Sequence, residues 1–261
     1  MDDLRQIRDL FGSPQPSPHA QARVWQRVRA GRRRRRLTWP AALLAVAAAV
    51  TVAALFLRPA APVDGRSILL AAATTAATSG TGAEGGTYWH IKKVHDGTRV
   101  TELWATRDGR AWTGERGRIV QVKGGSPYSM GGRELTYQQI AALPADAAAL
   151  RQRVSAMLPP GSPALLADAL AGLLWSKPSP PGVRAAAYRA LADLPEVRYL
   201  GEGADARGRS GEVFAFALTG GGRRTLIVDP DTSQVLSATD DGGRSQVVLE
   251  AGWTDQGPGL R

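Results

Sequence analysis

The alternation of apolar and polar positions changes character along the chain. Residues 37–57, LTWPAALLAVAAAVTVAALFL, form 21 consecutive positions without a charge. About 20 apolar residues at ~1.5 Å rise cross a ~30 Å hydrocarbon core, so this run predicts one transmembrane helix. Eight of its residues are Ala, which is nearly neutral for insertion. Leu37, Leu43, Leu44, Val46, Val50, Val52, Leu55, Phe56 and Leu57 must therefore supply the driving force. A buried core helix is equally apolar, but it would not abut five consecutive arginines. A cleaved signal peptide would have a shorter leader and a shorter apolar stretch than the 36 and 21 residues found here.

Before the span, Leu4, Ile7, Leu10 and Phe11 fall at helical spacing, with Asp2 and Asp3 at the favourable N-terminal end. Pro14, Pro16 and Pro18 then break the helix. A second apolar stripe, Ala20, Val24, Trp25 and Val28, runs into the arginines. Residues 1–36 are too few for a core of their own and are expected to fold on a partner or a membrane surface.

After the span the period alternates between helix and strand. Residues 58–64 are a Pro-rich spacer, Asp64 caps a helix reaching about residue 77, and 79–86 is a flexible linker. Alternating strands follow at 88–95 and 98–106 around Asp96-Gly97, the strongest short hairpin signal. Further strands are expected at 110–113 and 118–123. Helical patterns occupy 145–158, with Asp146 as N-cap, then 162–175 opening on Ser162-Pro163, and a third starting at Ser179-Pro180-Pro181 and reaching Leu194. Strands return at 197–201, 212–219, 223–229, 234–239 and 246–253, of which 213–218 and 225–228 read as interior strands. Hairpins, then helices, then a meander predict an α+β domain: helices cover one face of a curved antiparallel sheet. The organisation is thus a basic segment 1–36, a span 37–57, a helix and linker 58–86, and an α+β domain 87–261.

Charge sharpens the topology. The chain carries +10, but residues 1–36 hold 10 Arg against 3 Asp, so most of that charge sits at the N-terminus. Arg32, Arg33, Arg34, Arg35 and Arg36 directly precede the span, and only Arg58 and Arg66 follow it closely. Basic flanks stay cytoplasmic, which places the N-terminus inside, the C-terminal domain outside, and the arginines against anionic lipid. Only four basic residues are Lys and Asn is absent. Arg abundance is then a compositional habit, and no helix-turn-helix pattern accompanies it, so nucleic acid is not an expected partner. Within the span Ala41, Ala45, Ala49 and Ala53 recur every fourth position. Such small-xxx-small spacing supports a homodimer, although an Ala-rich helix also generates it by composition alone.

Candidate chemistry is sparse. Without Cys there is no disulfide, thiolate ligand or cysteine nucleophile. His90 and His95 are five apart on one strand and so point to opposite faces, which prevents them from sharing a metal. Gly80, Gly82 and Gly85 match G-x-G-x-x-G, but ahead of a strand rather than between strand and helix. Asp229-Pro230-Asp231-Thr232 reads as a turn. Trp89, Trp104, Trp112, Trp175 and Trp253 either build the core or line a groove for an acyl chain or a Pro-rich peptide. No catalytic, cofactor-binding or metal site is expected, and the chain reads as a non-enzyme.

Several segments carry a resemblance. YWHIKKVHDG with ELWATRDGRAW, LLWSKPSPPGVRAAAYRALADLPEVRYLGE and RTLIVDPDTSQVLS, together with the opening MDDLRQIRDLFG, resemble a family of uncharacterised single-pass proteins from actinobacteria. Such proteins often occur beside extracytoplasmic-function sigma factors. The resemblance implies an anti-sigma-factor-like signalling role, with a cytoplasmic sigma factor as partner. The DPDTSQVL hairpin is also similar to that of the LolA/RseB/LppX-like fold, whose members hold lipid or lipoprotein in a concavity. A membrane-anchored lipid or lipoprotein carrier is therefore the second expectation. In the first, Leu4, Ile7, Leu10 and Phe11 form the stripe that docks on the partner.

Overall fold

In the computed structural model the described residues are 64–79 and 85–259. Residues 1–36, expected to be cytoplasmic, and 37–57, expected to be a span with its alanine stripe, lie outside them. Among the described residues no helix is long and apolar enough to cross a membrane. Residues 62–261 form one compact unit, with a core built from its own elements.

The chain opens with α1 (Gly65–Thr78), where the Asp64 side chain accepts from the Arg66 amide at 3.1 Å. Strands β1 (Tyr88–His95), β2 (Arg99–Thr106), β3 (Ala111–Glu115) and β4 (Arg118–Gln121) follow as a meander. The β1–β2 turn places Asp96 at φ 49° and Gly97 at φ 76°, the paired left-handed geometry that an Asp-Gly hairpin requires. A two-residue hairpin, β5 (Ser129–Met130) with β6 (Arg133–Glu134), leads into helices α2 (Tyr137–Ala141), α3 (Ala147–Ser155), α4 (Pro163–Trp175) and α5 (Pro181–Ala192). The chain ends in β7 (Arg198–Ala204), β8 (Ser210–Ala217), β9 (Arg223–Asp229), β10 (Gln234–Asp240) and β11 (Ser245–Thr254).

Nine strands form one antiparallel sheet in the order β4-β3-β2-β1-β11-β10-β9-β8-β7. Each meander is local, and the two are joined where β1 pairs with β11, from Tyr88 opposite Thr254 to His95 opposite Gln246. The α+β expectation therefore holds, with helices on one face. Strand alternation separates the faces: Phe214, Phe216, Leu226 and Val228 turn inward to the helices, as do Ala105 and Ala111. Helix α5 is central. It packs on α1, α3 and α4, and its Ala185, Ala186, Ala187 and Tyr188 are fully buried. Small residues let the helices approach closely, and Gly65 lets the start of α1 approach the sheet, since a Cβ there would lie 2.3 Å from Tyr199 Cβ on β7.

Several boundaries differ from expectation for local reasons. Helix α3 is shorter than 145–158, because its last turn tightens into i→i−3 bonds from Met157 and Leu158 ahead of Pro159-Pro160. Ser162 precedes α4 but makes no capping bond through its side chain, and α5 is preceded by Pro180 rather than capped by Ser179. Strand β7 runs on past the expected end at 201. Glycine is needed at 203, because a Cβ there would lie 2.6 Å from the neighbouring Val213 methyl. Strand β8 ends before 219, where the Leu218 amide closes a turn on the Gly222 carbonyl.

Candidate ligand groove

The helices and the segment 122–143 do not close the whole inner face over β1–β4. A groove of about 950 Å³ remains there, bounded by the inner face of the strands, by residues 127–129 and by Ser176-Lys177 at the end of α4. Its apolar wall is Ile91, Leu103, Val120 and Val122. These are cross-strand neighbours on one face: Ile91 pairs with Leu103, Leu103 with Thr113, and Thr113 with Val120. Val120 is 47% exposed while Ile91 is 4% exposed, so the apolar wall is open to solvent at its Val120 end and covered at Ile91.

Two lysines stand in this wall. Lys93 comes from the inner face of β1, and its Nζ lies 3.9 Å from the ring centre of Trp175. Lys177 follows the C-terminus of α4. It is 8% exposed, and the connection that holds it is fixed by Pro178, Pro180 and Pro181. Its Nζ donates to Ser176 Oγ at a long 3.4 Å, while that hydroxyl itself donates to the Gly172 carbonyl at 2.7 Å. Burial, reinforced by the charges of Lys177 and Arg224, lowers Lys93 to about 8. Burial lowers Lys177 to about 8 as well, against the opposing pull of Asp168. Among the described residues no carboxylate lies within ion-pair distance of either ammonium. Asp168 is already engaged by Arg224, whose guanidinium also grips Asp240 at 2.8 Å.

Other polar groups of the groove differ in how they are satisfied. The Tyr128 hydroxyl is buried without a hydrogen-bond partner, and burial raises its pKa. His95 Nε2 meets Thr101 Oγ1 at 2.8 Å, and burial first, then Arg99 and Lys93, lowers its pKa. Glu102 faces away, bonded to His90 at 3.1 Å and to Lys92 at 3.4 Å. Glu115 lies 4.0 Å from Arg99.

The two histidines thus lie on opposite faces, as their spacing requires. His90 stacks on Trp104 with ring centres 4.7 Å apart, on the outer face. Among the described residues no group of three or more His, Asp or Glu side chains is arranged to hold a metal. The tryptophans do not line the groove. Trp104 and Trp112 cover the outer face beside His90 and Tyr88, and Trp89, Trp253 and Tyr137 form an edge-to-face cluster. The Arg107 guanidinium lies over the Trp253 ring at 3.7 Å, and Trp175 supports Lys93. Asp229 is a turn residue, accepting from the Asp231 amide at 3.0 Å and the Thr232 hydroxyl at 2.7 Å. Gly80 and Gly82 of the glycine-rich stretch lie outside the described residues. So do Leu4, Ile7, Leu10, Phe11, Arg32–Arg36 and the alanines of the span.

The lysine pair carried no sequence signal of its own. Lys93 alternates correctly into the inner face, but Lys177 reaches it only through the fold of α4 on the sheet.

No family model and no curated protein matches the chain. Among solved structures the chain is similar to MucB in the crystal structure of MucB in complex with MucA(peri). That likeness has 16% identity over 73% of this chain and 57% of the other, with a TM-score of 0.28. A second similarity is to the MucA/MucB complex of Pseudomonas aeruginosa, at 13% identity over 72% of this chain and 56% of that one, with a TM-score of 0.29. The chain therefore spans little more than half the length of the structures it resembles, and neither likeness identifies what it does.

Proposed function

We propose that this chain is a single-pass membrane signalling protein, an anti-sigma-factor-like regulator whose described domain is an extracytoplasmic sensor. The role is non-catalytic. The observation that carries it is the open groove of about 950 Å³ over β1–β4, walled by aliphatic side chains that an inert anchoring domain would cover. The sequence supplies the rest of the path: an uncharged run of 21 residues behind five arginines, and a short apolar stripe ahead of them. Occupancy of the groove would bias the association or proteolysis of the span and release a cytoplasmic partner from Leu4, Ile7, Leu10 and Phe11. A peptide of residues 1–36 tests this in a pull-down from the native cytosol, beside one with those four positions changed to Ser. Recovery of a sigma factor that the Ser peptide loses supports the reading. Recovery of nothing, or of the same charge-driven background with both peptides, reduces the tail to an anchor.

The same groove favours a second reading, a membrane-anchored carrier or binding module for lipid or lipoprotein. Native mass spectrometry of the purified domain discriminates, because a carrier emerges with apolar cargo and a domain that emerges empty does not support this reading.

A further inference from the structure

We propose that Lys93, Lys177 and the Tyr128 hydroxyl form an anion-binding site, which takes the carboxylate or phosphate head of an amphiphile whose apolar chain lies along Ile91, Leu103 and Val120. The proposal rests on the reading of the groove as a ligand site and names the chemistry of that ligand.

Three observations converge. Burying an ammonium without a counter-charge is costly, and proteins ordinarily pair such groups. Here two stand in one groove wall, and their partners are a ring face and a distant hydroxyl rather than a carboxylate. The acids nearest this wall are already committed: Asp168 to Arg224, Glu102 to His90 and Lys92, and Glu115 to Arg99. The excess positive charge at this wall is therefore not balanced from within the described residues. Independently, Tyr128 is 4% exposed, lines the same groove and has an unpartnered hydroxyl. An unbonded buried donor is itself destabilising, and an anionic oxygen would satisfy it.

The aliphatic part of the wall selects what carries the anion. Ile91, Leu103, Val120 and Val122 offer nothing to a second charge and gain by covering an aliphatic chain. A free inorganic anion would use the lysines and leave this surface wet. A neutral amphiphile would cover the surface and leave both ammonium groups without a counter-charge. Only an anionic amphiphile satisfies both halves. The cavity of about 80 Å³ beside Trp89 and Arg184 is too small for such a molecule, and the one of about 300 Å³ between Ser155 and Leu166 has no lysine in its lining.

Titration calorimetry of residues 62–261 at pH 7 with dodecanoate, dodecyl phosphate, 1-dodecanol and inorganic phosphate tests the site. Dodecanoate or dodecyl phosphate is expected to bind about tenfold or more tightly than 1-dodecanol, the discrimination expected of charge-assisted hydrogen bonds. Lys177→Met is expected to erase that preference, read as the ratio of dodecanoate to 1-dodecanol affinity in the same variant, and Tyr128→Phe to reduce it by a smaller factor. Equal binding of charged and neutral chains overturns the anion site but keeps the groove as a ligand site. Inorganic phosphate binding as tightly as dodecyl phosphate overturns the amphiphile. Failure of every probe overturns both this proposal and the ligand-groove reading. If Lys177→Met does not fold, as judged by its circular dichroism, Lys93→Met and Tyr128→Phe carry the same comparison.

Discussion

The Tyr188 hydroxyl, on the central helix α5, donates to the Ser233 carbonyl oxygen at 3.0 Å, and both residues are completely buried. Ser233 sits in the β9–β10 hairpin at φ 54°, a left-handed conformation uncommon for a residue with a Cβ. Arg184, one turn earlier on α5, donates to the same carbonyl at 2.5 Å and to Ser233 Oγ at 3.2 Å. The hairpin whose Asp-Pro-Asp-Thr turn was legible in sequence is thus held in its strained form by the helix that fills the core.

Removing the Tyr188 hydroxyl is expected to cost about 1 kcal/mol, at the low end for a buried bond because Arg184 still satisfies the carbonyl. Tyr188→Phe should therefore lower the urea midpoint of residues 62–261 with an unchanged m-value. Arg184→Met should cost more, and the double variant more than the sum of the two, since each donor backs up the other. Strict additivity would show that they do not share the load on Ser233.

Arg209 is the second long-range tie. Its guanidinium holds the Asp205 carboxylate at 2.5 Å and donates to the carbonyls of Leu236 at 3.1 Å and Val248 at 2.8 Å. Both carbonyls lie at register shifts, in β10 between Val235 and Ser237 and in β11 opposite Lys92–Lys93, where the ladder leaves backbone groups unpaired. Arg209→Leu strands a buried carboxylate and two carbonyls together, and should destabilise the domain by about 3 kcal/mol. Burial raises the Asp205 pKa, but hydrogen bonds from Arg209 and from the Arg209 and Arg207 amides outweigh it and leave the group below its ordinary 3.8. The folded state thus holds the carboxylate ionised more strongly than the unfolded chain does. Its contribution is complete above the unfolded value and is lost as pH falls through the lower folded value. Asp205→Asn should flatten the stability profile of the domain below about pH 4.

These ties show which parts of the fold the sequence discloses. Local signals were decisive wherever structure is local. Asp96-Gly97, Asp64, Asp146 and the alternation of 88–95 each specify an element from within a few residues. The β5–β6 hairpin and α2 were not anticipated, although Thr136 and Gln139 form a reciprocal capping box whose spacing was readable. Three things had no local signature: the pairing of β1 with β11, the bulges that Arg209 completes, and the meeting of Lys93 with Lys177. Each depends on elements dozens of residues apart. Of the two readings open for the tryptophans, packing is the one that Trp104, Trp112 and Trp175 follow, and none of the five lines the groove, because aromatic bulk signals burial without saying on which face.

The lysine pair makes a stability prediction that needs no ligand. Folded Lys177 titrates near 8 against an ordinary 10.5. Between those values the unfolded chain binds more protons than the folded one, so stability rises with pH across that window, and the burden is fully present below about 8. Lys177→Met should therefore stabilise the empty domain at pH 7, and the gain should shrink as pH approaches 10.5. Lys93 faces Lys177 and Arg224 and should behave alike. Chemical denaturation at pH 7 and pH 10 reads both effects. A Met variant that is less stable at pH 7 would show that the ammonium is well solvated and would count against an unbalanced buried charge.

Orientation in the membrane decides whether the groove meets an outside ligand at all. The five arginines ahead of residues 37–57 outnumber the two that follow closely, and the retention of basic flanks on the cytoplasmic side then predicts that residue 261 lies outside. A C-terminal alkaline phosphatase fusion, active only after export, should be active on the native chain. Moving the same five arginines to follow residue 57 should invert the span and silence it. The alanine-rich run is expected to contribute little insertion energy, which leaves the orientation to the arginines. Partial reversal on replacing only Arg32–Arg36 by Ser is the expected intermediate result. An inactive fusion on the native chain would put the domain inside the cell, and the sensor reading would fall with its topology even if the groove bound every anionic amphiphile offered to it.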